Sequence, residues 1–188
     1  MDPARLLSLL AQARSEASVG GITPPHDPDS TPYVARTRLL TVTTVEAATA
    51  VVSRAASLEH RSLDPVVGAW SARTPNPVTR AVSRAQGKAL LKAAATHLPG
   101  IRAEALPLPV ALGVVAAAMG FSPDDLARLV GLDDVEALLV GADTTDALVW
   151  RHALMDDIVA MADRIAHLVD PDRIPATGAP MVAVPMAL

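Results

Sequence analysis

Acidic side chains are the first residues of this chain that could do acid–base chemistry. The sequence contains three aspartate pairs, Asp124-Asp125, Asp133-Asp134 and Asp156-Asp157. A pair of carboxylates can act as general acid and base. The first two pairs lie at or near predicted helix starts, where carboxylates stabilise the helix dipole, so we interpret them as capping residues. The third pair lies inside a predicted helix and is expected to face solvent or nearby arginines.

Metal and nucleophilic chemistry is equally poorly supported. The chain has five histidines, none of which has another at the i+3 or i+4 spacing of a local metal site. Cysteine is absent, which excludes a thiolate ligand, a thiol nucleophile and a disulfide. No phosphate-binding loop, nucleophile elbow or His-Glu-x-x-His motif is present. The sequence therefore predicts a protein that is not an enzyme, with no catalytic residue, no metal ligand and no cofactor.

The strongest pattern is a run of cations spaced by four residues. Its members are Arg80, Arg84, Lys88 and Lys92. Asn76 and Pro77 precede the run as a helix cap and a first helical residue, so the cations are expected to share one side of one helix. Such a stripe is typical of a solvated face or of a binding face. Gly87 lies in its middle, and because glycine costs a helix about 1 kcal/mol, it predicts that another backbone packs closely there.

Helix-start signals and apolar periodicity predict an all-α fold, in which one helix carries this stripe. The predicted helices lie near residues 3–17, 36–57, 65–72, 77–97, 108–119, 123–140 and 144–168. We expect a single-domain bundle of six to seven helices over residues 1–170, with a flexible loop at 19–33. Residues 171–188 form a proline-rich apolar tail, which must fold back or dock on a partner.

Composition narrows the class further. Apolar residues make up 51% of the 188-residue chain and aromatic residues only 2%, which favours a core of closely approaching helices rather than a β-sandwich. The surplus apolar surface is expected to meet another chain. A net charge of −4 argues against general nucleic-acid binding. Without a signal sequence or 18 uninterrupted apolar residues, the chain is expected to be cytoplasmic and not to span a membrane.

Two sequence blocks resemble the UreF family of urease accessory proteins. The first runs from Ala72-Arg73-Thr74-Pro75 through Ser83-Arg84-Ala85-Gln86-Gly87 to the Leu-Leu-x-Ala-Ala run that follows. The second is the Pro-Val-x-x-Gly-x-x-Ala-Ala-x-x-Gly pattern of residues 109–120, and the tail at 174–182 is also similar. The N-terminal segment departs from the family pattern. In this segment only Gly20-Gly21 matches.

The resemblance implies a non-catalytic chaperone for nickel insertion into urease. Such a protein bridges the UreD/UreH-type accessory protein, which contacts the urease apoprotein, and the nickel-carrying UreG-type GTPase, and it is usually a homodimer. The residues we expect to bind partners are Arg73, Arg80, Arg84, Gln86, Gly87, Lys88, Ile174, Pro175, Gly178 and Pro180. Family membership would connect the chain with nickel binding, although no metal ligand is identified in it.

Two other functions remain open from the residues alone. One is a helical dimerising module unrelated to urease. The other is a helix-turn-helix DNA-binding regulator at residues 121–140, where Ala127, Gly131 and Val135 have the spacing of that motif. Its recognition helix would begin at Asp133-Asp134 and carry Glu136, three carboxylates that would repel phosphates.

Overall fold

The computed structural model describes residues 3–16, 31–139 and 144–169, and its regular elements in these ranges are all helical. They are α1 (Pro3–Glu16), α2 (Thr31–Arg38), α3 (Thr44–Leu58), α4 (Asp64–Arg73), α5 (Pro77–Ala95), α6 (Leu108–Met119), α7 (Pro123–Leu139) and α8 (Thr144–Val169). A π-helical turn, Leu39–Thr43, joins α2 and α3 into one continuous helix, so the described residues form seven separate helices. The predicted all-α bundle is confirmed.

Local capping chemistry sets several helix ends. The Asn76 side chain accepts hydrogen bonds from the N–H groups of Val78 and Thr79 and so caps α5, as predicted. At the start of α7, the Ser122 hydroxyl accepts from the Asp125 N–H at 3.0 Å and donates to the Asp125 carboxylate at 2.7 Å. Gly120 ends α6 with φ 66°, a left-handed conformation that glycine adopts without strain.

One boundary differs from the sequence expectation. Helix α2 begins at Thr31, so residues 31–33, expected to belong to a loop, are helical. The β-branched run at 39–45 is helical, as the helix expected near 36–57 implies, and it includes the π turn, after which the Thr44 hydroxyl donates to the Leu39 carbonyl. The rest of the expected loop, residues 19–30, and the tail at 171–188 lie outside the described residues.

The helix-turn-helix alternative is wrong because α7 runs through Gly131 without a turn. The interpretation of Asp133 and Asp134 as helix-start residues is wrong for the same reason, since both lie in the interior of α7. They form ion pairs instead, Asp133 with Arg14 at 2.5 Å and Asp134 with Arg38 at 2.6 Å. By contrast, Asp124 and Asp125 lie in the first turn of α7, as predicted.

One hydrophobic core connects α1, α3, α5, α6, α7 and α8. Its tightest helix crossing is between α3 and α6, where a Cβ added to Gly113 would clash with the Ala50 carbonyl oxygen and lie 2.6 Å from Ser53 Cβ. The Ser53 hydroxyl donates to the Val110 carbonyl at 2.8 Å across this crossing. Small side chains therefore let the two backbones approach, as the alanine-rich, aromatic-poor composition predicts.

Among the described residues, one helix, Tyr33–Leu58, is long and apolar enough to cross a membrane by length and composition, with a hydropathy of 1.2 in its best window. We interpret it as a core helix because Ala47, Ala50 and Val51 are fully buried on its inner side. Its outer side nevertheless exposes several large apolar side chains.

Candidate partner-binding face

Helix α5 exposes three of its cations beside the side that it buries in the bundle. Leu90, Leu91 and Ala94 are buried against the bundle, and α5 packs on α1 and α6. Arg84, Lys88 and Lys92 are exposed. The four-residue spacing therefore produces a continuous basic surface, which we call the α5 face and define by these three cations.

The three cations of the α5 face are unpaired within the described residues. Within the described part of the chain, none of them forms an ion pair or a side-chain hydrogen bond. Other arginines of the bundle, such as Arg38 and Arg151, are already paired with carboxylates. The α5 face thus concentrates positive charge that no described residue neutralises.

Exposed apolar side chains border these cations. Val78 is 67% exposed and Val82 is 42% exposed, and Ala81 and Ala85 are exposed beside them on the same helix. A surface that combines cations with accessible aliphatic groups fits a protein partner better than a nucleic acid, because the valines offer nothing to a phosphate backbone.

Arg80, the first cation of the predicted stripe, has a structural contact instead. Its Nη1 donates to the carbonyls of Thr74 and Pro75 at 2.8 and 2.9 Å, and its side chain is half-buried. Arg73, another predicted binding residue, donates to the Ala69 carbonyl at 3.4 Å within α4. Arg80 thereby fixes the short connection between α4 and α5 and with it the start of the basic surface.

Gly87 packs against a backbone, as predicted. A Cβ at this position would overlap the Leu106 carbonyl oxygen and lie 3.0 Å from the Pro107 carbonyl carbon. Gly87 is buried, so the contact lies within the chain, and it fixes the connection at residues 101–107 against α5.

Ser83 holds the same segment against α5 as Gly87 does. It was not among the residues predicted from the sequence. Its hydroxyl accepts from the Leu108 N–H at 2.9 Å, where α6 begins. The signal available in the sequence was its position four residues before Gly87, which places both on one side of the helix. The Ser-Arg-Ala-Gln-Gly-Lys run therefore has an inner side, Ser83 and Gly87, and an exposed side, Arg84 and Lys88. Gln86 is half-buried.

The remaining predicted positions are not brought to this face by the structure. Ile174, Pro175, Gly178 and Pro180 lie outside the described residues. In the described ranges, no group of three or more His, Cys, Asp or Glu side chains is arranged to hold a metal ion.

The sequence matches one family model, described as UreF, over residues 26–143. The match includes the whole of α5 and the connection held by Gly87, and it leaves out the N-terminal segment and the tail. No curated protein and no solved structure matches the chain significantly. Because the family model covers more than half of the 188 residues, the chain belongs to the UreF family, whose members are non-catalytic urease accessory proteins.

Proposed function

We propose that this chain bridges two partners during urease maturation, the UreD/UreH-type accessory protein and the nickel-carrying UreG-type GTPase. In this role it helps couple GTP hydrolysis to nickel delivery into the urease apoprotein. The observation that carries the proposal is the α5 face, with three exposed cations that no described residue pairs. Nucleotide chemistry then belongs to the GTPase, and nickel is cargo that finishes in urease.

The α5 face is proposed to bind an acidic surface of the GTPase. Arg84 and Lys88 form its centre, and Val78 and Val82 supply the apolar border. Arg80 and Gly87 support this surface from within, since they hold the two connections that flank it, and Arg73 lies exposed at the end of α4. Charge complementarity of this kind raises the association rate and makes binding sensitive to salt.

The proline-rich tail is proposed to bind the UreD/UreH-type protein through Ile174, Pro175, Gly178 and Pro180. The support is sequence composition alone, since apolar residues alternate there with prolines that prevent regular helix. Separate surfaces for the two partners would let one chain hold both. Removal of residues 171–188 should then weaken capture of the accessory protein while leaving GTPase binding intact.

A homodimer is proposed on the outer side of the continuous helix at residues 31–58. Leu40 is 58% exposed, Val45 36% and Val52 44%, and Ala48 and Ala55 lie half-buried between them. On α3 the spacing of Val45, Ala48, Val52 and Ala55 alternates three and four residues, as in helices that pack along a seam. We propose that a second copy of the chain covers this apolar surface. The resulting dimer would present two α5 faces in the cytoplasm.

Charge reversal at the centre of the α5 face tests the proposal. Arg84→Glu combined with Lys88→Glu should abolish co-purification with the GTPase, because like charges would then oppose each other. Thermal stability should hardly change, since exposed charges usually contribute less than about 1 kcal/mol. The matched control is Arg61→Glu with Arg164→Glu, which makes the same charge change at exposed positions outside α5, one of them, Arg61, paired with Glu59 on the surface.

The same experiment separates the proposal from a dimerising module unrelated to urease. The control variant should bind the GTPase as well as the natural chain does, with an affinity that falls as salt rises. Equal binding by both double variants would contradict a role for the α5 face. Failure of the natural chain to bind either accessory protein, with the dimer intact, would favour the unrelated module.

A further inference from the structure

Five charged side chains meet where α1, α2, α3 and α7 come together. Arg14 comes from α1, Arg38 from α2, Glu46 from α3, and Asp133 and Asp134 from α7. Arg38 forms a two-pronged contact with Asp134, at 2.6 and 3.1 Å, and Arg14 pairs with Asp133 at 2.5 Å. The two arginines are thereby each matched to one aspartate.

The Asp134 carboxylate has a further partner in the π turn. The buried Thr43 hydroxyl donates to it at 2.6 Å. An arginine fork and a hydroxyl therefore engage both carboxylate oxygens of Asp134 and fix the position of this side chain.

Glu46 is the member of the cluster without such a match. Within the described residues it forms no ion pair and no side-chain hydrogen bond. It lines a small cavity of about 20 Å³, enough for roughly one water molecule. Helix α6 contributes only Leu108, Pro109 and Leu112 to this cavity, so no cation reaches Glu46 from that side.

The charges of the cluster balance only when one proton is bound. Three carboxylates face two arginines when every group is ionised, which leaves one negative charge in a half-buried place. Burial raises the pKa of Glu46, and Asp134 and, to a smaller degree, Asp133 act in the same direction. Arg38 and Arg14 lower the Glu46 pKa but do not reverse the shift. Burial also raises the pKa of Asp133, against the effect of Arg14.

We propose that Glu46 is a proton-operated lock on α1. The protonated carboxyl keeps α1 seated on the bundle, and loss of the proton weakens that attachment. Helix α1 supplies Leu10 and Arg14 to the cavity wall, so lifting it would open Glu46 to water.

The direction of the pH effect follows from that geometry. Water access would bring the Glu46 pKa back toward its ordinary value, because burial is the largest cause of the shift and outweighs the loss of Arg14. The attached state therefore has the higher pKa. The stabilisation of the attached state by the Glu46 proton is complete below the ordinary pKa and is lost as pH rises through the raised value.

Hydrogen exchange of the α1 amides, measured against pH on the full chain, tests the lock. The variant is Glu46→Gln, which keeps the shape of the side chain but cannot release a proton. At each pH the exchange rate of the α1 amides in the natural chain is divided by the rate in the variant. This ratio cancels the intrinsic dependence of amide exchange on pH. Between the two pKa values this ratio should rise by up to about tenfold per pH unit, while α6 amides show no such rise.

The exposed Glu104 supplies the matched control. Glu104→Gln makes the same chemical change away from the cluster, and its α1 exchange should follow the natural chain at every pH. A ratio for Glu46→Gln that does not change with pH would overturn the proposal. Carboxyl carbon NMR on the natural chain gives a second reading that does not depend on any variant: a raised Glu46 midpoint supports the lock, and an ordinary midpoint overturns it.

Discussion

At the scale of single residues, the UreF-like Ser-Arg-Ala-Gln-Gly-Lys run contributes some residues to packing inside the bundle and others to its exposed surface. Ser83 and Gly87 hold the 106–108 segment against α5 through a hydrogen bond and a backbone contact. Arg84 and Lys88, one position further along in each case, point away from the bundle and are exposed. One short motif thus both positions the start of α6 and builds the α5 face.

Replacement of Gly87 by alanine should destabilise the protein although alanine is the better helix former. The new methyl group would overlap the Leu106 carbonyl, and overpacking of this kind costs about 1–3 kcal/mol. In a chain of this size each kcal/mol corresponds to a melting temperature change of roughly 2–4 °C. A thermal unfolding curve checks the prediction.

Gly68 provides the control for that substitution. It lies in the middle of α4, is exposed, and has no atom within 4 Å of an added Cβ. Gly68→Ala should therefore raise the stability by about 0.5–1 kcal/mol through helix propensity. If Gly87→Ala were also stabilising, the close approach at residues 106–107 would be disproved.

Residue-scale features were predictable where their cause is local. Asn76 and Ser122 cap helices within three residues, and the cost of glycine in a helix identified Gly87 as a point of close contact. The pairing of Asp134 with Arg38 was not predictable, because 96 residues separate the two in the chain. Only the folded arrangement of α2 against α7 shows that this aspartate is an ion-pair partner rather than a cap.

At the scale of elements, the continuous helix at residues 31–58 has two different sides. Its inner side makes the tightest crossing of the bundle, with α6 at Gly113. Its outer side exposes the apolar row that includes Val45 and Val52. Apolar surface of this extent on one helix is typical of an interface between chains.

A charge placed on that outer side should separate the proposed dimer. Val52→Glu puts a carboxylate at the centre of the row, and glutamate is a good helix former, so the monomer should stay folded. Light scattering should show the natural chain as a dimer and the variant as a monomer. Val78→Glu on α5 is the control, since it makes the same change at an even more exposed valine outside the proposed dimer surface. A natural chain that remains monomeric at high concentration would remove the basis of the dimer.

The order of the helices was predictable from the sequence. The π turn at 39–43 was not, and the uninterrupted path of α7 was one of two alternatives. Helix-start residues and apolar periodicity predicted a helix near each of those the structure describes. The π turn at Leu39–Thr43 shifts the helical register by one residue, which a fixed 3.6-residue period does not anticipate. The spacing around Gly131 is compatible with a helix-turn-helix, yet in the continuous helix α7 this glycine provides space for Ile158 and Met161 of α8.

At the scale of the whole molecule, charge is segregated. The net charge is −4, yet the α5 face is locally basic. A positive patch on an acidic protein directs an acidic partner to one surface and repels it elsewhere, which raises the specificity of encounter. This distribution suits a protein that assembles with others rather than one that acts on a small substrate.

Reconstitution of urease activation tests the central proposal most directly. Apo-urease is combined with the UreD/UreH-type protein, the UreG-type GTPase, nickel and GTP from the same source, and urease activity is measured with and without this chain. We predict activation only when the natural chain or the Arg61→Glu, Arg164→Glu control is present, and loss of most activity with Arg84→Glu, Lys88→Glu. Equal activation in the absence of the chain would contradict the account.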